Sequence, residues 1–518
     1  MDLLSFGDVI EGDFSLSAIS MRLLAPDPDA LMRYMPDATP DQSLEKWPAF
    51  AASVDWTQEA QSLLYMANLV HELQHLIQHT TLFQCMYQVS RLHRLTIHTD
   101  GVFGRLRKFS ESHPEEGAGM WPPRIPLLDW FKAVAGSVAD PLVCEWIDFC
   151  LQYRLYLGDE GAATDYNRFL HEQGLATLPS PYNPRVSDLA VSELPQVRQW
   201  SGVPLTTTAL LESQATMFAY RFIGSFYGQA LADELVLSVS TGAPDPTYHL
   251  LPFIVLNDIP PMVYMFPMLV DWAFGGSGDL PRDDRDTVTR IKDIQPTWRF
   301  CRLYNAARSI LLSDGKVGRG QPWTSDEEFA ALRERTLRVA GLHDDRPEFL
   351  VEWVKDLPDM PLRQVFLTNC THRQENERAY AMLEANLGFV QNSLCIPLLQ
   401  FREQPLVRYQ VGLGRNLSPV DQLRLDFYAR KLFNLNRMIE GARPQCPFCQ
   451  GLEYRTASGA TVKRHPPIGS GMITVASDGK EHDLFVSPHC RCFWAHEFRD
   501  TWGVLPEQLL FHNGKESG

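Results

Sequence analysis

Long apolar runs are missing from this chain. Its most apolar stretch, Pro260 to Phe274, is interrupted by prolines and by Asp271. It also falls short of the roughly 20 residues a helix needs to cross a bilayer, so no membrane span is expected. Positive charge is scarce: 47 Lys and Arg stand against 63 Asp and Glu, a formal net charge of −16. That balance disfavours non-specific binding to nucleic acid or anionic lipid by the molecule as a whole. Internal repeats and low-complexity tracts are absent. Cysteine is sparse, ten in 518 residues. Cys85, Cys144, Cys150, Cys301, Cys370 and Cys395 are scattered in apolar or helical context and read as reduced core thiols. The first eight residues, Met1 to Asp8, carry neither a basic segment nor a cleavable apolar run. The expectation is a cytoplasmic, globular protein, with 45% hydrophobic and 11% aromatic residues to build its core.

Another absence points to the first motif. From Thr57 to about Ser90 there is no Gly and no Pro. Leu63, Met66, Val70, Leu73 and Ile77 recur at spacings of three and four, which predicts an uninterrupted, mostly buried helix. Asp55 or Thr57 is placed to cap its start. Within it lies His71-Glu72-Leu73-Gln74-His75. Two histidines four apart share one helix face, about 6 Å from each other, and can grip one zinc ion. Glu72 is then positioned as the general base that takes a proton from a zinc-activated water. His79 is about 12 Å along the helix axis from His71, too far to share that ion. The longer pattern with a glycine bend and a third histidine would require Gly at 78 and His at 81. This chain has Gln78 and Thr81.

A catalytic zinc takes a third protein ligand. The best candidate is Glu212, a lone acid in the helical run Leu210 to Phe222, whose Leu211, Ala215, Phe218 and Phe222 form an apolar stripe. Thr206-Thr207-Thr208 supplies its start signal. A carboxylate in such surroundings needs a cation, either the metal or a base such as Arg221. Two histidines and a distant glutamate resemble the gluzincin class of zinc peptidases. More narrowly, Glu212-x-x-Ala215-x-x-Phe218-Ala219 resembles the second-helix pattern of the ImmA/IrrE-like metallopeptidases. The resemblance covers two stretches of about twenty residues each. It implies that His71, His75 and Glu212 hold zinc and that Glu72 is the general base. The chain departs from that family in separating the two helices by more than a hundred residues and in having Gln74 where the family often has Gly.

The remaining cysteines are grouped. Cys446-Pro447-Phe448-Cys449 and Cys490-Arg491-Cys492 flank a segment in which Met472 to Val475 and Leu484 to Val486 surround Asp478-Gly479. Asp-Gly between strand-like runs signals a hairpin. Four thiolates brought together by it would form a closed, structural zinc site of zinc-ribbon type. His489 is an alternative ligand to Cys490 or Cys492, because Cys-x-Cys is tighter than the usual spacing. The basic cluster Arg443, Arg455, Lys463, Arg464 and His465 reads as a solvated face rather than a nucleic-acid contact.

The expected fold is mainly α, with small β elements near the N-terminus, where Phe14 to Leu24 reads as a strand or a short helix, and in the ribbon. The expected organisation is an acidic segment (1–52), a zincin-like catalytic domain (53–312), a helical domain (324–440) beyond a Gly-rich break at 314–320, and a zinc-ribbon-like module (441–518). Further helices are expected over Leu127 to Leu157, Thr287 to Leu312, Thr324 to Ala340, Arg373 to Leu387 and Val420 to Ile439. The proline-rich stretch Leu175 to Pro204 is a wall or lid candidate. The function these features imply is a zinc metallopeptidase acting on a protein or peptide, with limited cleavage of a specific partner in a bacterial stress or phage-defence setting. A regulatory protein on the same scaffold, bound to a protein partner, and a zinc amidase acting on a non-peptide bond are the alternatives. Tyr220 and His79 are the candidates for a donor to the oxyanion.

Overall fold

The computed structural model describes residues 71, 74–93, 141–159, 161–174, 184–227, 246–276, 295–318, 320–342, 349–357 and 363–376. It also gives the main chain of short strands at 13–15, 20–23, 399–401, 408–409, 454–455, 461–462, 472–477 and 480–485. Over these residues the protein is mainly helical. Among them, no helix is long and apolar enough to cross a membrane.

The centre is the helix Pro261–Ala273. Met262, Met265, Phe266, Met268, Leu269 and Val270 are all fully buried, as a broad apolar face requires, while Val263, Tyr264 and Asp271 are only partly so. It packs against Thr207–Tyr227, Leu250–Leu256 and Pro296–Ser313. Pro261 suits the first turn, where a missing N–H costs nothing. Pro267 lies inside the helix and cannot donate to the Val263 carbonyl. That carbonyl receives the Arg221 guanidinium instead, at 3.4 Å. At the far end, the buried Arg299 donates from Nε to the Ala273 carbonyl (2.7 Å) and from Nη2 to the Trp272 carbonyl (2.9 Å). A cation at a helix C-terminus satisfies carbonyls left without intrahelical donors and complements the dipole.

The histidine-bearing segment departs from expectation. It is helical at 71 and 74–81 and again at 83–93, with an interruption at Leu82. The cause is competition for backbone groups. The Gln84 amide, which would bond the Thr80 carbonyl in a continuous helix, donates to the Phe274 carbonyl at 2.9 Å. The Thr80 carbonyl accepts from the Cys370 thiol at 3.5 Å. Insertion of outside partners into the ladder is a known source of helix breaks. Two elements thus clamp the break: the end of Pro261–Ala273, and the helix Arg363–Glu375, whose Asn369 donates to Thr80 Oγ1 at 2.9 Å.

The helix Thr207–Tyr227 begins as its sequence predicts, with Thr206 Oγ1 accepting from the Ala209 amide at 3.0 Å. Residues 184–204 form a short 3-10 turn at Val186–Asp188 and a single turn at Pro195–Arg198. Asn305 of Pro296–Ser313 ties this stretch down, accepting from the Ala190 amide (2.7 Å) and donating to the Asp188 carbonyl (2.8 Å). Beyond residues 314–320, Ser325 caps Asp326–Ala340 by accepting from the Glu328 amide at 3.2 Å. That helix packs back on Pro296–Ser313, with Arg302 donating to the Ala340 carbonyl at 3.3 Å. The next helices are Phe349–Asp356 and Arg363–Glu375, so the last of these begins ten residues before the helix expected at Arg373. Of the helix expected at Leu127 to Leu157, the described part is Pro141–Leu157. That expected at Thr287 to Leu312 is described as Pro296–Ser313. Val420 to Ile439 lies outside the described residues.

The strand main chain pairs Asp13–Ser15 with Ser20–Leu23, and the latter runs parallel to Leu399–Phe401. Met472–Ser477 and Lys480–Phe485 pair antiparallel, with Ser477 opposite Lys480. Cys446, Cys449, Cys490, Cys492 and His489 lie outside the described residues.

Gly276 follows the central helix where the chain passes the ring of Phe83. A Cβ on Gly276 would come within 2.6 Å of two ring atoms, and the ring is buried edge-on to Trp353 at 5.0 Å between centroids. Gly276→Ala is therefore expected to destabilise the protein by about 1–3 kcal/mol, measured by urea unfolding. An unchanged midpoint and slope would contradict this packing.

Candidate metal centre

His71 and His75 sit one helical turn apart, and their rings meet edge to face with centroids 4.7 Å apart. The helix Thr207–Tyr227 delivers Glu212 to the same point. One oxygen of Glu212, Oε2, lies 2.9 Å from His71 Nε2 and 3.0 Å from His75 Nε2. The two nitrogens are 3.1 Å apart. Side chains from segments 141 residues apart thus converge on one point. Among the described residues this is the one cluster of histidine, cysteine and carboxylate groups able to hold a metal ion. Glu212 does not pair with Arg221, whose guanidinium lies over the Tyr264 ring.

Hydrogen-bond polarity at His75 bears on what this point can hold. Gln78 Nε2 donates to the Leu211 carbonyl at 2.9 Å, which fixes the orientation of the amide because a carbonyl can only accept. Gln78 Oε1 therefore faces His75 Nδ1, at 2.7 Å. An amide oxygen cannot donate, so His75 Nδ1 carries the proton. The neutral ring then presents a lone pair at Nε2, facing the carboxylate oxygen of Glu212. A lone pair and a carboxylate at 3.0 Å repel unless a cation lies between them. A hydrogen bond there would require a second proton on a ring that is 5% exposed. Two imidazole nitrogens and a carboxylate oxygen are a donor set that fits zinc.

Burial and the neighbouring charges act on each ligand. Burial lowers the pKa of His71, reinforced by the neighbouring His75 and opposed by the bond to Glu212. Burial works to raise Glu212, but positive charge at the facing His75 and proton donation from His71 and His75 outweigh it and hold the carboxyl far below its usual range; with His75 neutral, a metal cation at the same point would have that role. A neutral imidazole and an ionised carboxylate are the protonation states a metal ligand needs. His79, which the sequence sets aside as a ligand, is outside the cluster. It is buried and pushed down to about 3, mainly by that burial, so it adds no positive charge beside the centre.

Glu72, the expected general base, lies outside the described residues. Tyr248 stands on the exposed side of the cluster, 41% exposed, with its ring centroid 6.3 Å from that of His71. No periodicity or motif singles it out in the sequence. Gln78 and Gln214 are also part of the surroundings. A buried amide in each ligand helix was the available signal, together with the lone Asp271 in its apolar stretch.

No protein-family model, curated protein or solved structure matches this chain.

Since burial lowers His71 from 6.5, protons compete with a metal for its nitrogen only below that value. Zinc occupancy at fixed free zinc is expected to be flat from pH 8 to about 6.5 and to fall on further acidification. Equilibrium dialysis over this range checks it. A midpoint of metal loss at or above pH 7 would contradict the assigned environment.

Proposed function

We propose that the chain is a zinc-dependent metallopeptidase of gluzincin type, resembling the ImmA/IrrE-like proteins in its site and not in the spacing of its ligand helices. The observation that carries this reading is the approach of His71 Nε2, His75 Nε2 and Glu212 Oε2 to within about 3 Å of one another, combined with Glu72 in the His-Glu-x-x-His sequence. His71, His75 and Glu212 would hold the ion. When bound, zinc supplies Lewis acidity, polarising a carbonyl and making water nucleophilic near neutral pH.

The chain's own residues account for the remaining chemistry. Glu72 takes a proton from the attacking water and returns it to the leaving nitrogen. The phenol of Tyr248 is the group we assign to donate to the developing oxyanion, because its ring flanks His71 on the open side of the cluster. His79 and Tyr220 are weaker candidates. His79 is buried, and Tyr220 lies about 12 Å along its helix from Glu212. The substrate we propose is a protein or peptide, cut at restricted positions, in a bacterial stress or phage-defence setting. The grouped Cys446, Cys449, Cys490 and Cys492 are proposed to hold a second, structural zinc, with His489 as a substitute ligand. The proposed compartment is the cytoplasm.

Glu72→Gln is the direct test of the enzymatic reading. The variant should keep its zinc and lose cleavage of host proteins, read by comparing peptide termini after incubation with wild type and variant. Equal cleavage by both would overturn the peptidase assignment. Tyr248→Phe should leave zinc content unchanged and lower kcat about 10²–10³-fold; a kcat within twofold of wild type would remove Tyr248 from the mechanism. Metal analysis should find two zinc ions per chain, one released readily by chelators and one retained.

A further inference from the structure

The metal cluster is backed by a chain of side chains whose donor and acceptor roles are all determined. It starts at atoms that can only accept. Gln214 Nε2 donates to the Pro267 carbonyl and to Asp271 Oδ1, each at 2.7 Å. Both of its protons are then used, so Gln214 Oε1 points the other way. There it accepts from Gln78 Nε2 at 2.8 Å and from Gln74 Nε2 at 3.2 Å. Gln78 spends its own two protons on Gln214 and on the Leu211 carbonyl. Its oxygen is left to face His75 Nδ1. Turning either amide over would set oxygen against oxygen at less than 3 Å in a site where Gln78 is fully buried and Gln214 is 1% exposed. Buried polar groups do not tolerate that.

The charged end of the chain is Asp271. Its other oxygen, Oδ2, pairs with Arg373 from the helix Arg363–Glu375. Arg373 also donates from Nη1 to Thr81 Oγ1 at 2.7 Å, and Thr81 bonds the Ile77 carbonyl at 2.6 Å. One guanidinium therefore holds both the central helix and the end of the first histidine helix. The polarisation runs in one direction. A carboxylate accepting from Gln214 makes that amide oxygen more negative. The effect passes through Gln78 and makes His75 Nδ1–H a stronger donor bond and His75 Nε2 a more basic ligand.

We propose that Gln78, Gln214, Asp271 and Arg373 form a one-way relay that fixes His75 in its Nδ1–H tautomer and strengthens its Nε2 as a metal ligand. These are positioning residues. The affinity half of the inference rests on the metal reading above; the tautomer half does not. Through Arg373, a helix some 300 residues beyond His75 in sequence contributes to the centre without touching it.

The test uses the full chain, with zinc as the probe. Long-range proton–nitrogen NMR on metal-free, histidine-labelled protein reads the tautomer of His75, and chelator competition reads zinc affinity. Wild type should show Nδ1–H. Gln78→Leu should release the ring to a mixture containing Nε2–H and weaken zinc about 10–100-fold. Asp271→Asn, which keeps the shape of the side chain and carries the test should Gln78→Leu not fold, should weaken zinc in the same direction by a smaller factor. Arg373→Lys should restore most of what Arg373→Met loses. An Nε2–H ring in wild type, or a zinc affinity within twofold of wild type in Asp271→Asn, overturns the relay. A wild type with an Nδ1–H ring and no zinc binding at all sinks the metallopeptidase reading and the affinity half of the relay, while the tautomer assignment stands.

Discussion

The convergence of two imidazole nitrogens and one carboxylate oxygen is the constraint around which the described structure is arranged. Three electron-rich atoms at about 3 Å from one another are costly to bring together in a largely buried place unless a positive charge joins them. The fold spends considerable structure on keeping them there. The helix carrying Glu212 is held by the apolar helix Pro261–Ala273, and that helix also anchors the amide chain behind His75. Arg299 at its C-terminus and Arg221 opposite Pro267 satisfy carbonyls that its own backbone leaves open.

The same helix explains the break beside the histidines. Thr80 and Gln84 direct main-chain groups to Cys370 and Phe274. The chain thereby gives up one rung of a regular helix and gains two contacts to distant elements. Such an exchange rigidifies the end of the ligand helix from outside, through Asn369 and Arg373 on one side and Phe274 on the other. A ligand shell held by elements from several parts of the chain is a means of keeping metal ligands oriented when no ion is bound.

Local patterns made much of this legible in the sequence, and long-range partners set the limit. Spacing of four located His71 and His75 on one face, and isolation in an apolar stripe marked Glu212 across more than a hundred residues. The Thr206 cap and the mainly helical character follow from residues close in sequence to the features they control. The break at Leu82 did not, because its causes are Phe274 and Cys370, far along the chain. The roles of Gln78 and Gln214 were hidden for a similar reason. An amide in a helix has no preferred partner until tertiary contacts decide which end of it faces which atom. Asp271 is visible as a charge interrupting an apolar stretch, and a carboxylate there needs a cation as much as Glu212 does. The cation in its case is Arg373.

A zinc-edge anomalous difference map from crystals of the full chain grown with zinc addresses the central claim most directly. The account predicts a peak about 2.0–2.2 Å from the Nε2 atoms of His71 and His75 and from a carboxylate oxygen of Glu212. A map with zinc bound elsewhere and no peak among these three side chains would contradict it.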